Sequence, residues 1–335
     1  MPRQARLDAP GVLHHVIIRG IERKKIFRDE KDYENFIDRF ASLVSKTHML
    51  CYAWVLMPNH AHFLLRSDGN GLSSFMRKLL TGYAVTFNRR HKRHGQLFQN
   101  RYKSIICQED LYFGELVRYI HLNPLRGKLV SDLEALGRFP YCGHSALTGK
   151  IRRDWQDTQY VLGHFGRTLR EAKRNYLAYM EEGVNQGRRP ELTGGGLIRS
   201  LGGWTEVKKK RRKGPYRIKG DERILGETDF VLDVLYQAEE KLKRSYELKR
   251  KGYDLQKVSE RVSEIFRIDP SEIVSRGRRK DQVLARDLFC FWVVSELDYS
   301  ITEVARFLGM TPSGVGYAVQ RGKAIMEEKE YRLEE

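Results

Sequence analysis

The chain has 335 residues, of which 61 are Lys or Arg and 43 are Asp or Glu, a formal net charge of +18. Its 41% hydrophobic content excludes a disordered chain, and its length suffices for two domains. The charge favours a polyanionic partner, nucleic acid before an anionic membrane surface, and the absence of any run of about 18 apolar residues argues against a membrane span.

Leu13 to Arg19 is short and β-branched and ends at Gly20, which predicts a strand. Asp29 to Lys46 places Tyr33, Phe36, Ile37, Phe40, Leu43 and Val44 on one helical face. Leu50 to Met57 reads as a second strand, Pro58-Asn59 as a turn, and His60 to Leu65 as a third strand returning as a hairpin. Leu72 to Arg90 is a second helix and Arg101 to Cys107 a fourth strand. Asp110 to Asn123 is a third helix, capped by Asp110 and stopped by Pro124. The order predicts an α+β, ferredoxin-like βαββαβ antiparallel sheet with helices on one face. The four cysteines, Cys51, Cys107, Cys142 and Cys290, are far apart and form no CxxC pair, so they are expected to be buried and reduced. No apolar signal core follows Met1, and the expected location is cytoplasmic.

Gly194 to Gly226 contains GGG, GG and the basic run Lys208 to Lys213, which reads as a linker or a loop ordered on binding. From Phe230 onward the pattern is helical. Ser300 can cap a helix through Phe307, Gly309 breaks it, and Thr311 can cap a second helix from Pro312 to Met326. This predicts an all-α C-terminal domain with a helix-turn-helix, whose second helix would turn Thr311, Ser313, Gly314 and Tyr317 toward a groove. Arg276, Arg278, Arg279, Lys280, Arg286 and Arg321 supply positive charge nearby. The domain expectation is therefore residues 1–150 catalytic, 151–193 a helical extension, 194–229 a Gly-rich basic linker, and 230–335 a helical DNA-binding domain.

His60-Ala61-His62 is the sharpest local feature. Residues two apart on a strand point the same way, so two imidazoles can share one divalent cation; two hydrogen-bonded histidines on a half-buried sheet face fit the pattern as well. His14 and His15 are adjacent, face opposite ways and chelate less readily. Tyr119 and Asn123 are four apart on the third helix and share a face. Asn123 can supply an oxygen ligand, and a metal-assisted phenol can attack phosphorus, while packing in the core is the other role of a helical tyrosine. Between these features, Arg89, Arg90, Lys92, Arg93, Arg101 and Lys103 alternate with Phe98 and Tyr102, a pattern suited to single-stranded or hairpin nucleic acid.

Together MPNHAHFLL, HGQLFQNRYKS and RYIHLNPLRG resemble, in order and spacing, the single-tyrosine HUH transposases, in particular the REP-associated tyrosine transposases. The resemblance covers residues 1 to 150. It implies a Mg²⁺ or Mn²⁺ ion held by His60, His62 and Asn123, with Tyr119 as the nucleophile. It further implies single-stranded hairpin DNA as substrate and a 5′-phosphotyrosine intermediate. Family members include dimers that exchange the tyrosine helix, which leaves a homodimer and action in trans open. Residues 230 to 326 resemble more loosely the DNA-binding domain of the chromosomal replication initiator, which implies duplex DNA as a further partner and a nucleoid-associated protein. Thr311 to Tyr317 stand where that family carries a histidine-rich signature. The alternatives to a strand-transfer enzyme are a non-catalytic DNA-binding regulator on the same scaffold and a metal-dependent nuclease using water.

Overall fold

The computed structural model describes residues 7, 11–47, 49–66, 71–187, 189, 192–193, 221, 223–275, 277 and 279–334. Two compact units divide the chain, Met1–Asp233 and Val234–Glu335.

The first unit is built on strands β1 (Leu13–Arg19), β2 (Leu50–Met57), β3 (His60–Arg66) and β4 (Lys103–Cys107). β1 lies between β3 and β4 and is antiparallel to both, and β2 pairs with β3 through the hairpin. The alternation of each strand sorts its side chains onto two buried faces. Val16, Ile18, Ala61, Phe63 and Leu65 meet helices α1 (Glu30–Thr47) and α2 (Leu72–Arg90), which contribute Phe36, Ile37, Phe40, Phe75, Leu79 and Tyr83. Leu13, Ile17, Val55, Leu64 and Ile105 face the opposite way and meet α3 (Glu109–His121), with Phe113, Leu116, Val117 and Ile120.

The α+β class and the βαββαβ order hold, with two additions. α1 and α2 do share one face, but α3 covers the other, so the sheet is buried on both sides. Five short helices continue on that second side: α4 (Asn123–Arg126), α5 (Leu133–Arg138), α6 (His144–Thr148), α7 (Thr158–Gly163) and the longer α8 (Leu169–Gly183). Leu136, Leu147, Val161, Tyr176 and Met180 join the α3 core, so helices α5 to α8 fold onto the sheet. The second addition is a fifth strand, β5 (Ile224–Leu225), which runs parallel to β4 and makes the sheet mixed. It lies in the stretch read from sequence as linker. Both its side chains are buried, and the carbonyls of Arg223 and Leu225 accept from the amides of Ile106 and Gln108. The basic run Lys208 to Lys213 lies outside the described residues.

The ends of α3 correct the sequence reading. The helix begins at Glu109 with Gln108 as its N-cap and no side-chain cap, so Asp110 sits inside the first turn, where its charge suits the helix dipole. Pro124 does not stop the chain; it occupies the first turn of α4, a position where a missing N–H costs nothing.

The second unit is helical throughout: α9 (Thr228–Arg250) enters it, followed by α10 (Leu255–Phe266), α11 (Pro270–Val274), α12 (Lys280–Ser295), α13 (Ile301–Phe307) and α14 (Pro312–Lys329). Val258, Val262, Leu288, Phe289, Trp292, Val304, Leu308, Val315 and Ala318 form its core. Ser300 makes a capping box with Glu303, Gly309 takes φ +60 in the turn, and Thr311 caps α14 by accepting from the Gly314 amide. α14 packs along α12 at Gly322, where an added Cβ would stand 2.0 Å from the carbonyl oxygen of Asp287.

Candidate active site

β3 carries His60 and His62 on the sheet face that meets α3. Across the ladders, His60 pairs with Arg19 and Met57, and His62 with Ile17 and Val55. Central placement makes both positions rigid, because each backbone is held from two sides. The imidazole ring centroids of His60 and His62 lie 5.3 Å apart, nearly perpendicular.

The hydrogen bonds settle which nitrogen each ring presents. Nδ1 of His60 lies 2.6 Å from Oδ1 of Asn59, an atom that can only accept, so Nδ1 carries the proton. Nδ1 of His62 lies 2.9 Å from Nε2 of His15, whose own Nδ1 donates to the carbonyl of Leu192 at 3.0 Å. With His15 neutral, its Nε2 must accept, and Nδ1 of His62 donates. Nε2 of both His60 and His62 is then left with a lone pair, the atom a divalent ion requires. Burial, with Arg19 adding, holds the His60 pKa down at about 4, and burial, His15 and His60 hold that of His62 well below its usual value. Both are therefore uncharged at neutral pH.

α3 and α4 bring the other two residues. The Tyr119 ring stands 5.8 Å from that of His62 and 6.0 Å from that of His15, edge-on to both. The Arg126 guanidinium lies 5.5 Å from the Tyr119 ring centroid. The side-chain amide of Asn123 donates to the carbonyls of Tyr119 and Ile120 at 2.8 and 3.3 Å, which directs its oxygen away from the helix. His60, His62, Tyr119 and Asn123 line one cavity of about 370 Å³, together with Arg19, Gln99, Asn100, Arg101, Lys103 and Thr193. Two imidazole nitrogens and one amide oxygen are a donor set for a divalent ion; because imidazole prefers softer metals, the set suits Mn²⁺ better than Mg²⁺.

Asp29, Asp32 and His91 form a second cluster of metal-ligating groups. Arg90 bridges both carboxylates, at 2.6 and 2.5 Å, and His91 bonds Asp32 at 2.9 Å, so part of the negative charge there is already compensated within the protein.

Residues 10–123 match the family model described as "Transposase IS200 like". This stretch is similar to the IS200-like transposases. It runs from the start of β1 to Asn123 and so contains all four residues above. Among solved structures, this chain is similar to a REP-associated tyrosine transposase bound to a REP hairpin, at TM-score 0.38 and 16% identity over 46% of this chain and 89% of that one. It is also similar to a Deinococcus radiodurans transposase structure, at TM-score 0.26 and 17% identity over 36% and 95%. A curated relative is the chromosomal replication initiator protein DnaA of Nautilia profundicola, 29% identical over 119 residues, 35% of this chain; the chain spans about a quarter (27%) of that protein's length.

The basic stretch of the first unit is divided in its loyalties. Arg89, Lys92, Arg101 and Lys103 are exposed, and Arg101 and Lys103 line the cavity. Two expectations need correction. Arg90 is committed to Asp29 and Asp32, the latter buried. Tyr102 is buried, with its hydroxyl 3.0 Å from that of Ser73, so its ring has no face for a base to stack on. Arg93 folds back onto Asn88 and the Gln96 carbonyl.

In the second unit, Arg321 makes a two-pronged ion pair with the buried Asp287, at 2.6 and 2.8 Å, which explains its presence without a nucleic acid. Thr311 spends its hydroxyl on the α14 cap, and Arg279 pairs with Glu272. Lys280 and Tyr317 are exposed. Arg276, Arg278 and the Ser313 side chain lie outside the described residues.

Sequence reasoning missed His15 and the Leu192–Thr193 segment. The available signal for His15 was strand alternation, which puts it on the face of Ile17. Leu192 is far away in the chain and carries no motif.

Proposed function

We propose that the N-terminal unit cuts and rejoins hairpin-bearing single-stranded DNA, with Tyr119 as nucleophile and His60, His62 and Asn123 as ligands of Mg²⁺ or Mn²⁺. The observation that carries this reading is the Tyr119 ring 5.8 Å from the His62 ring, in one cavity with the two histidines and Asn123. When bound, the ion would draw charge from the scissile phosphate. His62 and His60 stay neutral and aim Nε2 into the cavity, while α3 fixes the phenol. The Tyr119 oxygen attacks phosphorus, the phenol proton leaves, and the P–O3′ bond breaks. The 3′-oxygen departs and is protonated to a free hydroxyl, and the 5′-phosphate remains on the tyrosine. Rejoining is the reverse: a 3′-hydroxyl attacks the phosphotyrosine, loses its proton, and the tyrosine oxygen leaves. The linkage conserves the phosphodiester bond energy, so no nucleotide cofactor is needed. Arg101 and Lys103 line the cavity as counter-charges for the DNA backbone.

The second unit would add duplex binding, with α14 as the helix entering the major groove.

The test is incubation with end-labelled hairpin DNA and Mn²⁺, followed by a denaturing gel. A protein-linked band that is lost in Tyr119→Phe while hairpin binding persists supports the assignment. Free ends without an adduct indicate water as nucleophile, and intact DNA indicates a regulator.

A further inference from the structure

The hydrogen-bonded line that ends at His62 begins far outside the residues that match the transposase family model. The Leu192 carbonyl accepts from His15 Nδ1, and His15 Nε2 accepts from His62 Nδ1. His15 and His62 are stacked at 5.1 Å between ring centroids, with 27° between planes. His15 is completely buried, His62 is 3% exposed and Leu192 1%. The neighbouring Thr193 carbonyl accepts from Lys103 Nζ at 2.9 Å, and Arg189 bonds Glu115 of α3 at 2.8 Å. Arg189, Leu192 and Thr193 are thus fastened to α3, β1 and β4, the elements that frame the cavity.

A free neutral histidine prefers its proton on Nε2, the tautomer that cannot bind an ion through that atom. A buried acceptor at Nδ1 reverses the choice, and outer partners of this kind change metal affinity about 10- to 100-fold. We propose that His15 is a positioning residue: held by the Leu192 carbonyl, it fixes His62 with Nδ1 protonated and Nε2 bare toward the ion. Leu192 is then a working part of the metal site. This inference rests on the reading of His60 and His62 as ligands.

Its geometry suggests its own control. A glutamine side chain has an oxygen that can accept from His62 and an amide that can donate to Leu192; leucine has neither. The experiment uses the full chain without DNA. Mn²⁺ affinity is measured by electron paramagnetic resonance, and the His62 tautomer by long-range ¹H–¹⁵N correlation of the metal-free imidazoles. His15→Leu is expected to weaken Mn²⁺ by about 10- to 100-fold and to move the His62 proton to Nε2, while His15→Gln stays within about threefold of wild type. A wild-type His62 protonated at Nε2, or a His15→Leu protein that folds and binds Mn²⁺ as wild type does, overturns the proposal. Equal loss in His15→Leu and His15→Gln does so too, since it marks a packing role. If His15→Leu fails to fold, the wild-type tautomer and the Gln variant decide alone. The ligand reading is checked apart: His60→Ala and His62→Ala must each lose Mn²⁺, and if both retain it, that reading falls first and takes this one with it.

Discussion

The Asn123 side chain donates from Nδ2 to the Tyr119 carbonyl at 2.8 Å, across the junction between α3 and α4. The nucleophile candidate and the amide ligand candidate are therefore oriented by each other's backbone and side chain. Replacing Asn123 by Ala removes one candidate ligand oxygen and two helix-end hydrogen bonds, one of them long. Mn²⁺ affinity should fall at least about tenfold, while stability falls only about 1 kcal/mol. Isothermal titration with Mn²⁺ beside urea unfolding checks both; an unchanged Mn²⁺ titration removes Asn123 from the site.

Arg89 and Arg90 are neighbours with opposite expected phenotypes. Arg89→Ala should weaken binding to single-stranded DNA and flatten its salt dependence by about one phosphate. Arg90→Ala leaves the buried Asp32 short of its partner, and should lower thermal stability with little change in that slope. Filter binding across a salt series, set beside melting curves, separates the two.

Gly322→Ala forces a methyl group against the Asp287 carbonyl, so α12 and α14 must part. A loss of about 1–3 kcal/mol is expected, confined to unfolding of the second unit. Limited proteolysis should release the region after residue 233 first, with the N-terminal unit still folded.

The buried histidines make the first unit acid-sensitive. Burial lowers the pKa of His14 and His144 to about 4, from an ordinary value near 6.5. Their folded pKa values are depressed, so the unfolded chain takes up protons first, and stability is lost as pH falls from about 6.5 toward 4. Each contributes up to about 1.4 kcal/mol per pH unit in that window. Urea titrations at pH 7.5, 6 and 5 should show a falling midpoint, and a flat profile would contradict the burial argument.

The strands and helices of the first 123 residues were legible because their patterns are local. β1, β2 and α2 end where alternation or helical spacing ends. The His-x-His pair was legible for the same reason, since strand geometry alone puts both rings on one side. What escaped is non-local. β5 has two residues and no pattern of its own, and exists because β4 offers an open edge. Arg90, Arg321 and Tyr102 looked like nucleic-acid contacts because composition records charge and aromaticity but not the acidic or hydroxyl partner that folding brings up. His15 was noticed only as a neighbour of His14 that faces the opposite way and chelates less readily; its bond to His62 joins adjacent strands, and its bond to Leu192 spans most of the unit.

The late arrival of β5 has a consequence for how the protein is made. Until Ile224 and Leu225 leave the ribosome, the amides of Ile106 and Gln108 have no strand to bond, and the outer rim of the sheet is bare. A nascent chain ending near residue 150 carries that sticky rim into a crowded cell, where it can pair with another chain. Shortened expression products ending there should clump, and adding back residues through 233 should keep them dispersed.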